Sequence, residues 1–159
     1  EDGYLWYVGR IDDVIKSLPA YCTDNFSYQQ NRSNHQNIQG YLLRIMQGEE
    51  YGKTYDLTQM LQHMNFLTVG RLDRFVNNDI AIKEDNSTYI SRQHSTIEKD
   101  SDGSLKIRDG QRDLRSCSRW HRSTNGTFVN SAEASENGYY LKDGDIISIG
   151  DVKMRFEAY

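Results

Sequence analysis

From residue 40 onward the sequence predicts an all-β domain, built as a sandwich or a barrel. Three observations carry this. Short runs in which apolar and polar residues alternate recur along residues 41–157, the period of a strand with one wet face. The gaps between them hold residues suited to tight turns, among them Gly48, Gly52, Asp102-Gly103, Asp109-Gly110, Asp143-Gly144 and Gly150. One Pro stands against 12 Gly and 11 Tyr, and with frequent β-branched residues that balance favours pleated structure.

Taken in order, the chain opens on a different texture. Tyr7, Ile11, Val14, Ile15 and Leu18 recur at helical spacing, which predicts one helix with a single apolar face. Asp12 and Asp13 suit its N-terminus and Pro19 its end. Tyr4-Leu5-Trp6-Tyr7 just ahead is too apolar to lie free in water. Residues 23–39 hold four Asn and four Gln and few large apolar groups, too little to offset ordering, so they are expected to be a linker. Residues 1–39 are therefore expected to form an N-terminal appendage with its linker, and residues 40–159 the domain proper. The chain starts at Glu1 without a signal peptide, and is expected to be part of a larger protein.

Within the domain, strands are expected at 41–46, 55–57, 66–69, 95–98, 105–108, 146–149 and 152–157. The last is the clearest, with Val152, Met154 and Phe156 alternating with Lys153, Arg155 and Glu157. Met60, Leu61 and Met64 permit a short helical insert within 58–64. Phe128, Ile147 and Phe156 are expected in the core.

Composition excludes several functions. Lys and Arg number 19 against 23 Asp and Glu, a net charge of −4, so no nucleic-acid partner is expected from bulk charge. No run of eighteen apolar residues occurs, so neither a membrane span nor membrane contact is expected. Cys22 and Cys117 are the only cysteines, which points to a reducing setting, the cytoplasm or the nucleus. His35, His63, His94 and His121 show no metal-ligand spacing, and no CxxC, GxSxG or phosphate-binding glycine loop is present. Neither an enzyme nor a metal or cofactor is expected. The remaining catalytic alternative is a hydrolase relay of His94, Asp109 and a serine.

A constellation in the loops is more specific. Gly70-Arg71 closes one strand, Ser91-Arg92-Gln93-His94 opens another, and Ser123-Thr124-Asn125-Gly126-Thr127-Phe128-Val129-Asn130 follows. Asn78-Asp79-Ile80, Leu105-Lys106-Ile107-Arg108-Asp109 and residues 141–150 add to it. In this order and spacing, residues 40–156 resemble the forkhead-associated (FHA) domain. The resemblance implies a β-sandwich of two antiparallel sheets that binds phosphothreonine peptides without catalysis. The partner is then a protein phosphorylated by a Ser/Thr kinase.

The resemblance assigns phosphate contacts to Arg71 and Ser91 and the peptide main chain to Asn125. Arg92 and Thr124 are expected to add charge and polar groups. Chemically the set is apt, because a phosphothreonine carries nearly two charges and three strong acceptors, and a guanidinium fork grips two of them at once. Gly70, His94 and Gly126 are expected to brace these loops. Tyr89 occupies the family's place for reading the ligand residue three positions after the phosphothreonine, with residues 130–137 as the opposite wall. The rival reading keeps this fold as a phosphate-independent assembly module. Two features depart from the family pattern. One is the N-terminal appendage. The other is the stretch 110–122, where Arg112, Arg115, Arg119 and Arg122 face one Asp and could extend the positive field. Trp120 within it is expected to pack.

Overall fold

The computed structural model describes residues 40–84, 88–113 and 119–159. The predicted helix, the linker, Arg115 and both cysteines lie outside them.

The strands stack as two sheets, most with alternating burial, whereas 95–98 is buried throughout. In chain order they are β1 (Tyr41–Gln47), β2 (Thr54–Asp56), β3 (Phe66–Arg71), β4 (Ile80–Ile82), β5 (Ser95–Lys99), β6 (Leu105–Asp109), β7 (Gln111–Arg112), β8 (Trp120–His121), β9 (Thr127–Val129), β10 (Ala132–Glu133), β11 (Tyr139–Tyr140), β12 (Ile146–Ile149) and β13 (Val152–Ala158). One sheet runs β10-β9-β12-β13-β1-β2 and the other β11-β6-β5-β3-β4, while β7 and β8 form a separate ribbon. Every pairing is antiparallel except β3 with β4, which is parallel. The second sheet is thus mixed, not purely antiparallel.

The core lies between the sheets. Leu43, Ile45, Ile147, Ile149, Met154 and Phe156 come from the first, and Leu67, Val69, Ile80, Ile97, Leu105 and Ile107 from the second, all essentially inaccessible to solvent. Lys153 and Arg155 stay exposed between buried neighbours, as a half-buried strand demands. Gly40 and Tyr159 exchange two backbone hydrogen bonds, of 2.7 and 3.0 Å, which tie the ends of the domain together.

Besides the mixed sheet, further expectations change, and short strands β7 to β11 join those expected. The helical insert is one turn, α1 (Leu57–Met60), capped by the Asp56 carboxylate on the Gln59 N–H; it starts earlier and ends sooner than 58–64. Phe128 is only half-buried, because Thr127 and Val129 take the inward positions of β9. Its ring lies beside Gly126 instead. β4 sits where no strand was expected, since three residues show barely one period. Asp79 holds it by accepting from the Thr68 N–H and hydroxyl at 2.8 and 2.9 Å.

Candidate functional site

Arg71 ends β3, Ser91 to His94 lead into β5, and Ser123 to Gly126 lead into β9. The structure brings these three segments together. Arg71 N–H donates to the Ser91 carbonyl and His94 N–H to the Val69 carbonyl, both at 3.0 Å. Residues 91–94 are thereby laced along the end of β3. Gly70 lies under this lacing, and a Cβ there would run into the Arg92 carbonyl and the Asn78 amide. Gly126 is needed for a different reason, its φ of +88°.

The polar side chains face the same region. Arg71 Nη1 donates to the Ile90 carbonyl at 3.4 Å, and Nη2 lies 3.7 Å from Asp73. Both contacts are long, so the guanidinium is only loosely held. Ser91 Oγ accepts from the Thr124 N–H at 3.0 Å and lies 3.4 Å from the Thr124 hydroxyl. Asn125 Nδ2 donates to the Tyr89 carbonyl at 2.9 Å. Thr124, Asn125, Arg92 and Tyr89 are exposed. The guanidinium of Arg92 has no ion-pair partner among the described residues.

His94 joins the loops from below. It is fully buried. Its Nδ1 accepts from the Ser91 N–H at 3.0 Å, and its Nε2–H donates to the Gly126 carbonyl at 2.9 Å. An acceptor at Nδ1 requires the neutral Nε2–H tautomer. Burial lowers its pKa below the ordinary histidine value, against the opposing pull of the Gly126 hydrogen bond and the Asp109 and Glu84 charges. The sign follows directly: a lowered folded pKa means the unfolded chain binds the proton more readily. Stability is therefore complete above about pH 6.5 and is lost as pH falls below it. Thermal unfolding between pH 7.5 and 5, with the His94 ring followed by NMR, checks this; a ring that titrates at or above the ordinary value contradicts it.

Asp109 anchors the third segment. Buried at the end of β6, its carboxylate accepts from the Ser123 hydroxyl at 2.5 Å, the Thr127 hydroxyl at 2.8 Å and the Ser123 N–H at 3.2 Å. With both His94 nitrogens on backbone groups and Asp109 occupied in this way, the relay of His94, Asp109 and a serine is not formed. No cluster of metal-ligating side chains exists among the described residues.

Several supporting contacts were not visible in the sequence. Gln111 Nε2 reaches the Val69 carbonyl, Asn78 Oδ1 and the Ser95 carbonyl at 2.8–3.2 Å. Asn78 in turn donates to the Arg92 carbonyl at 2.7 Å. The Glu84 carboxylate accepts from the Tyr89 and Ile90 N–H groups at 3.0 and 2.9 Å. Asn78 belongs to the motif read in the sequence, though its contact does not show there; Gln111 and Glu84 are polar residues indistinguishable in sequence from solvated ones.

The arginine-rich stretch is partly turned inward. Trp120 donates from Nε1 to the Asp109 carbonyl at 2.8 Å, with the guanidinium of Arg108 3.9 Å and that of Arg112 5.7 Å from its ring centroid. Burial lowers the pKa of Arg112. Arg122 pairs with Glu133 at 3.0 Å and approaches Asp109 at 3.5 Å. Of the three described arginines in this stretch, Arg119 is exposed with no ion-pair partner among the described residues.

A family model, the FHA domain, matches residues 67–150, more than half of the chain. Solved structures agree in fold. The FHA domain of an Arabidopsis thaliana hypothetical protein is 28% identical with a TM-score of 0.56, over 82% of this chain and 94% of that one. Slr1951 from Synechocystis sp. is 26% identical with a TM-score of 0.56, over 76% and 96% of the two chains. A structure from work on phosphothreonine-dependent FHA domain interactions is 23% identical with a TM-score of 0.54, over 76% and 98%. Comparison with the curated proteins gives no match at a significant level. On the family match and the shared sandwich together, this chain belongs to the forkhead-associated domain family.

Proposed function

We propose that this domain recognises phosphothreonine in a segment of a partner protein and performs no chemistry on it. One observation carries the reading: the loosely held Arg71 guanidinium, the Ser91 hydroxyl and the exposed Arg92, which has no ion-pair partner among the described residues, are gathered on loops that His94 and Asp109 lock from beneath. Such an arrangement gives a dianion a forked cation, a hydroxyl donor and a second charge, with little reorganisation. Thr124 and Asn125 line the same edge, and Asn125 faces where a peptide main chain would run. Gly70 and Gly126 allow the loops to approach, and Tyr89 flanks the site as a specificity contact. The related structure whose study concerns phosphothreonine-dependent interactions supports the reading.

The deciding experiment is calorimetric titration with one phosphothreonine peptide and its unphosphorylated copy. Binding of the phosphorylated form alone supports the proposal. Equal binding favours the phosphate-independent assembly module.

The basic stretch contributes less than its charge count implies. With Arg112 on Trp120 and Arg122 on Glu133, replacing Arg112, Arg115, Arg119 and Arg122 by Gln is expected to weaken binding by at most about 1 kcal/mol. Titrations at low and high salt test this, and a loss of a hundredfold would restore the stretch to the site.

Residues 1–39 are proposed to be an appendage outside the recognition machinery. Deleting residues 1–37 should lower thermal stability, because the apolar Trp6, Ile11, Ile15 and Leu18 would gain by docking on the domain, and leave phosphopeptide affinity nearly unchanged. A large rise in affinity on truncation would instead make the segment a cover for the site.

A further inference from the structure

The loop between β3 and β4 carries two large apolar side chains in water. Leu72 is 57% exposed and Phe75 73%. Scattered exposed apolar residues are ordinary, but these two are held beside the proposed phosphate contacts. Asp73 accepts from the Phe75 N–H at 2.7 Å through one oxygen and lies 3.7 Å from Arg71 Nη2 through the other. Leu72 N–H donates to the Ile82 carbonyl at 2.7 Å. At the far end of the loop, Asn78 is bonded to the Arg92 carbonyl at 2.7 Å. The loop thus begins beside Arg71, with Asp73 only loosely facing its guanidinium, and is bonded through Asn78 to the Arg92 carbonyl, with Phe75 between. The Arg74 guanidinium sits 4.8 Å from the Phe75 ring centroid, covering one part of the ring and leaving most of it open.

We propose that Leu72 and Phe75 form an apolar subsite for a side chain of the phosphorylated segment near its phosphothreonine. The inference rests on the phosphothreonine reading of Arg71 and Ser91. A segment whose phosphate is gripped at Arg71 must run past the neighbouring loops, and an extended chain advances about 3.3 Å per residue. A loop that begins beside Arg71 and is bonded to the Arg92 carbonyl therefore lies within a few residues' reach of the phosphothreonine. The occupant is apolar because the surface offered is a leucine and an aromatic ring whose nearby cation is already stacked. Tyr89, 53% exposed, stands elsewhere on the site, held at the Asn125 side by its carbonyl. Phe75 and Tyr89 thus lie on different loops, between β3 and β4 and between β4 and β5.

The test uses a phosphothreonine peptide library with randomised flanks, its unphosphorylated counterpart, the full chain, and the variants L72S/F75S and F75S. Melting temperatures establish that the variants are folded; both substitutions fall on exposed side chains. The full chain should enrich an apolar residue at a flanking position, and both variants should lose that enrichment. A matched peptide pair, apolar or alanine at that position, should then bind the unaltered chain with a ratio on the order of fivefold, falling to near one in L72S/F75S. Enrichment that persists in the variants, or an acidic residue enriched instead, overturns the subsite and leaves the phosphothreonine reading standing. Failure of the unaltered chain to distinguish the phosphorylated library from the unphosphorylated one overturns both.

Discussion

Arg71→Ala is expected to remove measurable phosphothreonine-peptide binding while leaving the domain folded. The loss should be about 2–5 kcal/mol, the range for truncating one member of a hydrogen-bonded charge pair, or roughly thirtyfold to several thousandfold in affinity. The fold should tolerate the change because, among the described residues, the Arg71 side chain makes only long contacts, 3.4 Å to the Ile90 carbonyl and 3.7 Å to Asp73. Neither is worth much at a partly exposed position. Arg71→Lys separates charge from shape: it keeps the cation and loses the fork, so it should bind between the two. Titration of all three proteins with one phosphopeptide, beside melting curves, gives the answer. Equal affinities for the alanine variant and the unaltered chain would remove Arg71 from the site.

Asp109→Ala is expected to damage stability first and binding as a consequence. The carboxylate collects the Ser123 hydroxyl, the Ser123 N–H and the buried Thr127 hydroxyl. Without it these donors are left without their acceptor in a place water cannot easily reach. Hydrogen bonds to a charged acceptor contribute about 1.5–3 kcal/mol each, and because the three share one partner they do not simply add. A total near 3–5 kcal/mol is expected, with a fall in melting temperature on the order of 10–20 °C. The segment that presents Thr124 and Asn125 loses its anchor, so affinity should drop even at low temperature, where the variant is still folded. Asp109→Asn preserves the volume and one acceptor, and should recover part of the loss. A melting temperature within a few degrees of the unaltered chain would show that the buried carboxylate is not what holds this loop.

Legibility followed pattern length. β13 was visible because seven residues of strict alternation cannot be mistaken for a helix, while β12 and β1 read as strands from their short apolar, β-branched runs between turn residues. β4, β7, β8, β10 and β11 span two or three residues each, less than is needed to establish a period. They exist because neighbouring strands and turns offer them hydrogen-bond partners. At β9–β10 that turn is Asn130-Ser131, with φ of +51° and +73°, steadied by Asn130 on Asp145 and on the Ile146 N–H. Phe128 was misplaced for a related reason: an aromatic residue in a strand can face either way, and the register of β9 decides which.

The sequence by itself determined the all-β class, the sandwich implied by the family resemblance, and the ordered set Gly70-Arg71, Ser91 to His94 and Ser123 to Asn130. Alternation and motif spacing are local properties, and residue order alone carries them. Only the tertiary structure decided which polar residues are buried supports and which are free to meet a ligand. Gln111 reaches Val69 across 42 positions, and His94 reaches Gly126 across 32. The arginines of residues 110–122 look alike as charges, yet Arg122 finds Glu133, Arg112 lies near Trp120, and Arg119 stays in solvent. A side chain's worth to a site depends on its partners and its exposure, and both are set by segments distant in the chain that meet only when the two sheets close on one another.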